Sequence, residues 1–319
     1  MPLTITTWNV QNFDTTEPLF SAKRAWIVQT LRALGSDVVA LQEIKDRRAL
    51  EAVADDLGFH AQAALPGNPQ HAIRVAFLTR DPTPGPAEPI TKWRMPRGMK
   101  VRQLDDQGQL QTLTTFRRPA LRIQVLYEGR AIDIITAHLK SKLLSFGPFF
   151  STTDETLRAR TGFLALQIRS AEALTLREHV SELLAHGHDV VLLGDLNDGP
   201  KAATTELLYG PPGSQVRGPE DAAHVTGAFQ RGDAGDAQRL FNVCNLVPDE
   251  RRWSRRHNGQ PELLDHILVS AGLLPRNAVG VRRVPRMTIG NRDTPNLVGD
   301  NPAVGGAVPD HAPVTAVFD

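Results

Sequence analysis

Four short strings, spread from one end of the chain to the other, carry side chains able to bind a hard cation and to move protons. They are Thr7-Trp8-Asn9-Val10, Leu41-Gln42-Glu43, Gly194-Asp195-Leu196-Asn197 and Pro309-Asp310-His311. Carboxylate and carboxamide oxygens suit Mg²⁺ or Mn²⁺, and imidazole is the usual proton carrier near neutral pH. Each string borders an apolar run that reads as a strand. A fold that brought the strand ends together would assemble a site suited to phosphodiester hydrolysis.

Taken singly, the strings differ in weight. Glu43 past Val38-Val39-Ala40-Leu41-Gln42 also fits a solvated side chain, and Asn9 also fits a turn. Asp195 and Asn197 say more, because Asp189 to Leu193 is apolar enough for a sheet centre, and residues two apart in an extended segment share a face. Their bland alternative is an Asx turn closed by Asp198-Gly199. Asp265 lies inside the apolar run Leu263-Leu264-Asp265-His266-Ile267-Leu268-Val269, and a carboxylate there is costly unless paired. His311 is its natural partner, which would orient the imidazole and hold it protonated; His266 faces the other way. His138, in Thr136-Ala137-His138-Leu139-Lys140-Ser141-Lys142, fits a phosphate contact or a leaving-group acid, with Lys140 or Lys142 as an electrostatic aid.

The elements that must position these residues alternate in type. Leu3 to Trp8 reads as a strand. Glu17 to Leu34 has helical periodicity, with Phe20, Trp26, Ile27, Leu31 and Leu34 on the apolar face. Asp37 to Leu41 reads as a buried strand and Asp46 to Leu57 as a helix stopped by Gly58. This order predicts a layered α/β domain. Further strands are expected at Ala72 to Thr79, Leu110 to Phe116, Ala120 to Tyr127, Ala131 to Ala137, Asp189 to Leu193, Leu263 to Val269 and Val314 to Phe318, with Glu128-Gly129 as a tight turn. Ser151 to Leu184 is a long helix, with Thr153 and Thr156 as candidate caps, and Pro200 to Leu208 a short one. Asp81 to Pro89, Gly210 to Asp236 and Ile289 to Pro309 read as loops. With no repeat and no linker, residues 1–319 are expected to form one domain.

Composition narrows the class. The chain is 41% hydrophobic and 22% charged with a formal net charge of +1, so affinity for a polyanion must come from local patches. Two segments interleave Arg or Lys with Trp: Lys92 to Arg102, and Arg251-Arg252-Trp253-Ser254-Arg255-Arg256-His257. Such runs suit a nucleic-acid backbone with stacked bases, although a solvated loop around one buried Trp has the same composition. One cysteine, Cys244, excludes an internal disulfide. The start of the sequence shows no signal peptide and no run reaches membrane-spanning length, so a cytoplasmic monomer is expected, with secretion open if a leader has been removed.

Side by side, the strings resemble the endonuclease/exonuclease/phosphatase superfamily, the deoxyribonuclease I-like group. The matching positions are Asn9 in Trp-Asn-Val, Glu43 in Leu-Gln-Glu, His138 in His-Leu-Lys-Ser, Asp195 and Asn197 in Gly-Asp-Leu-Asn, Asp265 in Leu-Asp-His-Ile-Leu, and Asp310-His311 in Asp-His-Ala-Pro. The resemblance implies a four-layer α/β sandwich of two packed mixed β-sheets flanked by helices. It also implies Mg²⁺- or Mn²⁺-dependent phosphoester hydrolysis. Glu43 would be the main metal ligand, with Asn9 and Asp310. Asp195 would position or deprotonate water, and Asn197 would contact the phosphate. His311 would act with Asp265, and His138 would bind the phosphate or assist the leaving group; either histidine fits the acid. Arg118, in Arg118-Pro119, is a candidate phosphate contact. Lys140, Trp253 and Arg255 complete the candidate substrate-binding set.

Departures refine the expectation. The abasic-site repair branch has a Tyr-rich motif where this chain has His138-Leu139-Lys140, and an acidic residue where it has Gln11, so that activity is disfavoured. A nuclease acting on DNA, or on RNA, is expected. The alternative is a phosphatase or lipid phosphodiesterase taking an inositol-phosphate or sphingomyelin head group at the same site. A nucleic-acid-binding module with a dead site is disfavoured, because every expected catalytic position is filled.

Overall fold

The computed structural model describes residues 2–64, 73–104, 109–144, 152–210, 238–274, 286–291 and 307–318. In chain order the strands are β1 (Leu3–Phe13), β2 (Val38–Ile44), β3 (His60–Ala63), β4 (Arg74–Thr79), β5 (Glu88–Lys92), β6 (Val101–Leu104), β7 (Leu110–Leu113) and β8 (Thr115–Tyr127). They continue with β9 (Arg130–His138), β10 (Asp189–Asp195), β11 (Leu240–Asn242), β12 (Arg255–His257), β13 (Gln260–Glu262), β14 (Asp265–Ser270), β15 (Arg286–Ile289) and β16 (Val314–Phe318). The helices are α1 (Phe20–Leu34), α2 (Arg47–Leu57), α3 (Glu155–Ala185) and α4 (Ala203–Tyr209).

Strand polarity and pleat explain the layering. One sheet has the order β15-β16-β1-β2-β4-β3 and the other β11-β14-β10-β9-β8-β5. β1 with β2 and β9 with β10 run parallel, and the other pairs run antiparallel. Successive side chains point to opposite faces. Val38 and Ala40 therefore join Ile5, Phe77, Ile134, Leu193 and Ile267 between the sheets, while Val39 and Leu41 pack under Ile27, Leu31, Leu50 and Val53 of α1 and α2. Likewise Leu192 and Leu268 pack under Ile168, Leu176 and Val180 of α3. The result is the expected four-layer α/β sandwich, with near-continuous apolar strands because both faces are covered.

Several boundaries differ from the sequence reading. α1 starts at Phe20, not Glu17, because the residue before Pro18 is disfavoured in helical space. Asp154 caps α3 by accepting from the Thr156 and Leu157 amides, so neither Thr153 nor Thr156 is the cap. β8 runs unbroken through Pro119, at a register shift between β5 and β8 where no ladder donor is needed. β5 begins inside the stretch read as a loop. Almost all of Gly210 to Asp236 and most of Ile289 to Pro309 lie outside the described residues. Among the described residues, no helix is long and apolar enough to cross a membrane.

Candidate active site

Register brings the distant strings together. β10 lies between β9 and β14, with Asp195 opposite His138 on one side and Asp265 on the other. Each is an even number of residues from an inter-sheet core position (Ile134, Leu193, Ile267), so all three point into the space between the sheets. Across that space, β1 and β2 set Asn9 beside Gln42, one residue before Glu43. Within the second sheet, Gly194 lets β10 lie close to β9: its φ is 136°, and a methyl group there would collide with the Ala137 carbonyl.

The hydrogen bonds join both sheets. Asn9 Nδ2 donates to Asp195 Oδ2 at 3.0 Å and to Glu43 Oε1 at 3.2 Å. The Asn12 amide donates to Glu43 Oε2 at 2.9 Å. Gln11, Asn12, Glu43 and Asn197 have φ values of 52°, 50°, 65° and 53°, a left-handed conformation that costs non-glycine residues about 1–3 kcal/mol each and collects at functional sites. Lys23 Nζ holds the Gln11 carbonyl at 2.7 Å. The Asn197 amide donates to Asp195 Oδ1 at 2.9 Å and Asn197 Nδ2 to the Leu139 carbonyl at 3.0 Å. Asp195 and Asn197 are thus related by an Asx turn, not by an extended segment, and the turn still aims both at the site.

His311 Nδ1 donates to Asp265 Oδ2 at 2.6 Å, with both side chains buried. Burial alone would lower the imidazole pKa. The charge and hydrogen bond of Asp265, with Asp195 and Asp310, instead push it up to about 10, so His311 is an imidazolium at neutral pH. Burial and the Asp265 charge raise Asp195 to about 7, against the pull of His311 and its hydrogen bonds from Asn9 and Asn197. His138 goes the other way. Burial first, then the charges of Arg118, His311 and Lys140, hold it well below the usual histidine range. Arg118 Nη1 lies 2.6 Å from His138 Nε2, which makes Nε2 the acceptor and assigns the proton to Nδ1. The 3.4 Å approach of His138 to Asp195 is therefore no ion pair.

The remaining candidates divide. Arg118 reaches the site and also donates to the Leu139 carbonyl at 3.0 Å. Asp310 stands beside Arg255, whose Nε is 3.5 Å from Asp310 Oδ2 without a hydrogen bond, and Arg255 forms a β-bridge with His311. Lys140 is placed differently from expectation: its Nζ donates to the Ser141 and Leu143 carbonyls at 3.0 Å, so the ammonium folds back on its own turn. Trp253 is 8% exposed with the Arg256 guanidinium 4.3 Å above its ring, so it supports that arginine and offers no base-stacking face. Trp93 likewise packs edge-on against Phe116 in the core, which removes Lys92 to Arg102 as a stacking surface.

Two further positioning groups have no role in the sequence reading. The Trp8 indole donates to the His311 carbonyl at 2.7 Å. Buried Ser254 accepts the Leu264 and Asp265 amides at 3.1 Å through Oγ and the Ala312 amide at 2.7 Å through its carbonyl. Only the place of Trp8 beside Asn9, and of Ser254 inside the Arg/Trp segment, marks them in sequence.

The donor set fits a hard divalent cation. Among the described residues, Asp195, Asp265 and His311 have ligand atoms within 4.8 Å of one another, and Asp265 Oδ1 is buried without a hydrogen-bond partner. An imidazolium bonded to Asp265 is not itself a ligand. Glu43 and Asp310 offer further carboxylate oxygens and Asn9 a carboxamide oxygen, donors as hard as those of Asp195 and Asp265.

A sequence profile of the Endonuclease/Exonuclease/phosphatase family matches residues 6–289. A comparison with curated protein sequences finds no match. Similar solved structures include truncated Caenorhabditis elegans TDP2, at 14% identity and TM-score 0.57, over 99% of this chain and 97% of that one. D. rerio TDP2 complexed with a single-strand DNA product matches at 15% identity and TM-score 0.52, over 100% and 99%. The human Nocturnin catalytic domain matches at 13% identity and TM-score 0.52, over 100% and 94%.

Proposed function

This chain belongs to the endonuclease/exonuclease/phosphatase family of phosphoester hydrolases, and within that family we propose that it is a divalent-metal-dependent nuclease cleaving DNA, with RNA as a further substrate. The whole chain, 1–319, acts as one domain and as a monomer. The observation that carries the reading is the in-register placement of His138, Asp195 and Asp265, with His311 bonded to Asp265 at 2.6 Å.

Glu43, helped by Asn9 and Asp310, would hold Mg²⁺ or Mn²⁺, which neutralises charge on the phosphate. Asp195, poised near neutrality, accepts a proton from the attacking water. As the water oxygen bonds to phosphorus, the bond to the leaving oxygen breaks, and His311 donates the proton that oxygen needs. The His311 imidazolium also offsets the developing negative charge. Asn197 and Arg118 orient the phosphate. In this reading His138 stays neutral and holds Arg118, and His311 serves as the acid.

Support for nucleic acid comes from Arg255 and Arg256 on the hairpin of β12 and β13, bridged to His311, and from a fold shared with a TDP2 that holds a DNA product. Lipid or small-phosphoester turnover is the second reading, favoured by exposed Leu143, three residues after Lys140, and by exposed Phe163 and Leu166 on α3. Turnover of labelled DNA and RNA is measured beside inositol phosphates and sphingomyelin vesicles. Faster polynucleotide cleavage supports the nuclease; faster turnover of the small or lipid substrates replaces it with the second reading.

A further inference from the structure

α3 carries two buried charged side chains that the chemistry above does not use. Arg169 is 5% exposed and Glu172 is 1% exposed. Both end on one residue of the turn that follows β9. The Lys140 amide donates to Glu172 Oε2 at 2.7 Å, and Arg169 Nη1 donates to the Lys140 carbonyl at 2.9 Å. Arg169 Nε also meets Asp198 Oδ2 at 3.1 Å. Asp198 is fixed in turn by Thr204 Oγ1 at 2.6 Å and by His266, whose Nε2 meets its carbonyl at 2.9 Å.

These contacts tie two parts of the site to one helix. The Leu139 amide donates to the Asp195 carbonyl at 3.0 Å, and the Leu139 carbonyl accepts from Asn197 and Arg118. Every backbone amide and carbonyl of Leu139 and Lys140 therefore has a partner, and α3 supplies both partners of Lys140. Packing alone does not require this: apolar residues often replace buried ion pairs at little or no cost to stability. Arg118, Lys140 and Arg169 converge around Glu172. Burial nevertheless pushes the Glu172 carboxyl up to about 7 against their pull.

We propose that Arg169 and Glu172 are positioning residues, a clamp by which α3 fixes the Leu139–Lys140 turn and so sets Asn197, and Arg118 with the His138 that holds it, against the phosphate. The catalytic consequence rests on the proposed hydrolase site; the clamp itself can be read without it.

The test compares Glu172→Leu, Glu172→Gln and Arg169→Gln in the full chain. Amide hydrogen exchange is read over residues 138–142, and kcat and KM are read on an activated phosphodiester with Mn²⁺. In Glu172→Leu, exchange over the turn rises, and kcat falls by about 10²-fold, as expected for displacement of catalytic groups by about 1 Å, while KM changes little. Glu172→Gln keeps an acceptor for the Lys140 amide and restores both readouts. If Glu172→Leu does not fold, Arg169→Gln gives the same test, since glutamine can hold the Lys140 carbonyl or Asp198 but not both. Wild-type exchange over the turn in the folded variants, or kcat within about twofold of wild type, overturns the clamp. If wild-type protein hydrolyses no phosphoester, the proposed function fails, and the exchange comparison still decides whether α3 holds the turn.

Discussion

Replacing Asp265 by Asn leaves the shape of the site nearly intact and removes the charge that governs His311. Holding the imidazole at about 10 against an ordinary 6.5 corresponds to roughly 5 kcal/mol in favour of the imidazolium. In Asp265→Asn burial acts against the charge, and only Asp195 and Asp310 oppose it. His311 then titrates lower and can take the wrong tautomer. By analogy with loss of the orienting carboxylate in a catalytic triad, kcat should fall by about 10³-fold or more. Stability follows the same linkage. A raised histidine pKa stabilises the fold fully below the unfolded value of 6.5 and loses that contribution as pH rises through about 10. The wild-type advantage in urea unfolding is therefore largest near pH 6 and shrinks toward pH 10. Imidazole ¹⁵N shifts across the same range read the charge directly. Wild-type His311 titrating near 6.5, or a kcat within tenfold in Asp265→Asn, refutes the reasoning.

Three further outcomes follow from other contacts. Glu43→Gln should weaken Mn²⁺ binding by about 10–100-fold in calorimetry, since the main carboxylate donor is lost; unchanged affinity would place the ion elsewhere. Gly194→Ala should cost about 3 kcal/mol or more in urea unfolding, because backbone must move to relieve the clash with Ala137. Glu172→Gln should gain stability relative to wild type as pH rises from 4.5 through 7. A raised carboxyl pKa stabilises only below its unfolded value, and the shift from 4.5 to about 7 amounts to roughly 3 kcal/mol; a pH-independent difference would rule this out.

The candidate strings were legible because each borders a buried strand, apolar from Val190 to Leu193 ahead of Asp195 and mixed with threonine in β1 and β16. The buried run ending at Leu193 announced a central strand, and the alternation Asp265-His266-Ile267 separated an inter-sheet carboxylate from a histidine that bonds Asn242 and the Asp198 carbonyl on the other face. What depended on tertiary contacts was not legible. The hairpin of β12 and β13 is short, charged and without apolar alternation. Burial of Trp93 and Trp253 is set by partners such as Phe116 and Arg256, which no local pattern reveals. Arg169 and Glu172 sit on a buried face of α3 that also carries Thr161 and Thr175, so helical periodicity marks the helix and hides the clamp. The fold-back of Lys140 likewise depends on carbonyls of its own turn.

The most direct measurement is cleavage of supercoiled plasmid, labelled single-stranded DNA and RNA by the purified protein with Mg²⁺, Mn²⁺ or EDTA, beside His311→Ala. Cutting that requires the metal and is lost in the variant is the predicted result. Cutting that survives EDTA or the variant, or no cutting of any polynucleotide in any arm, contradicts the account.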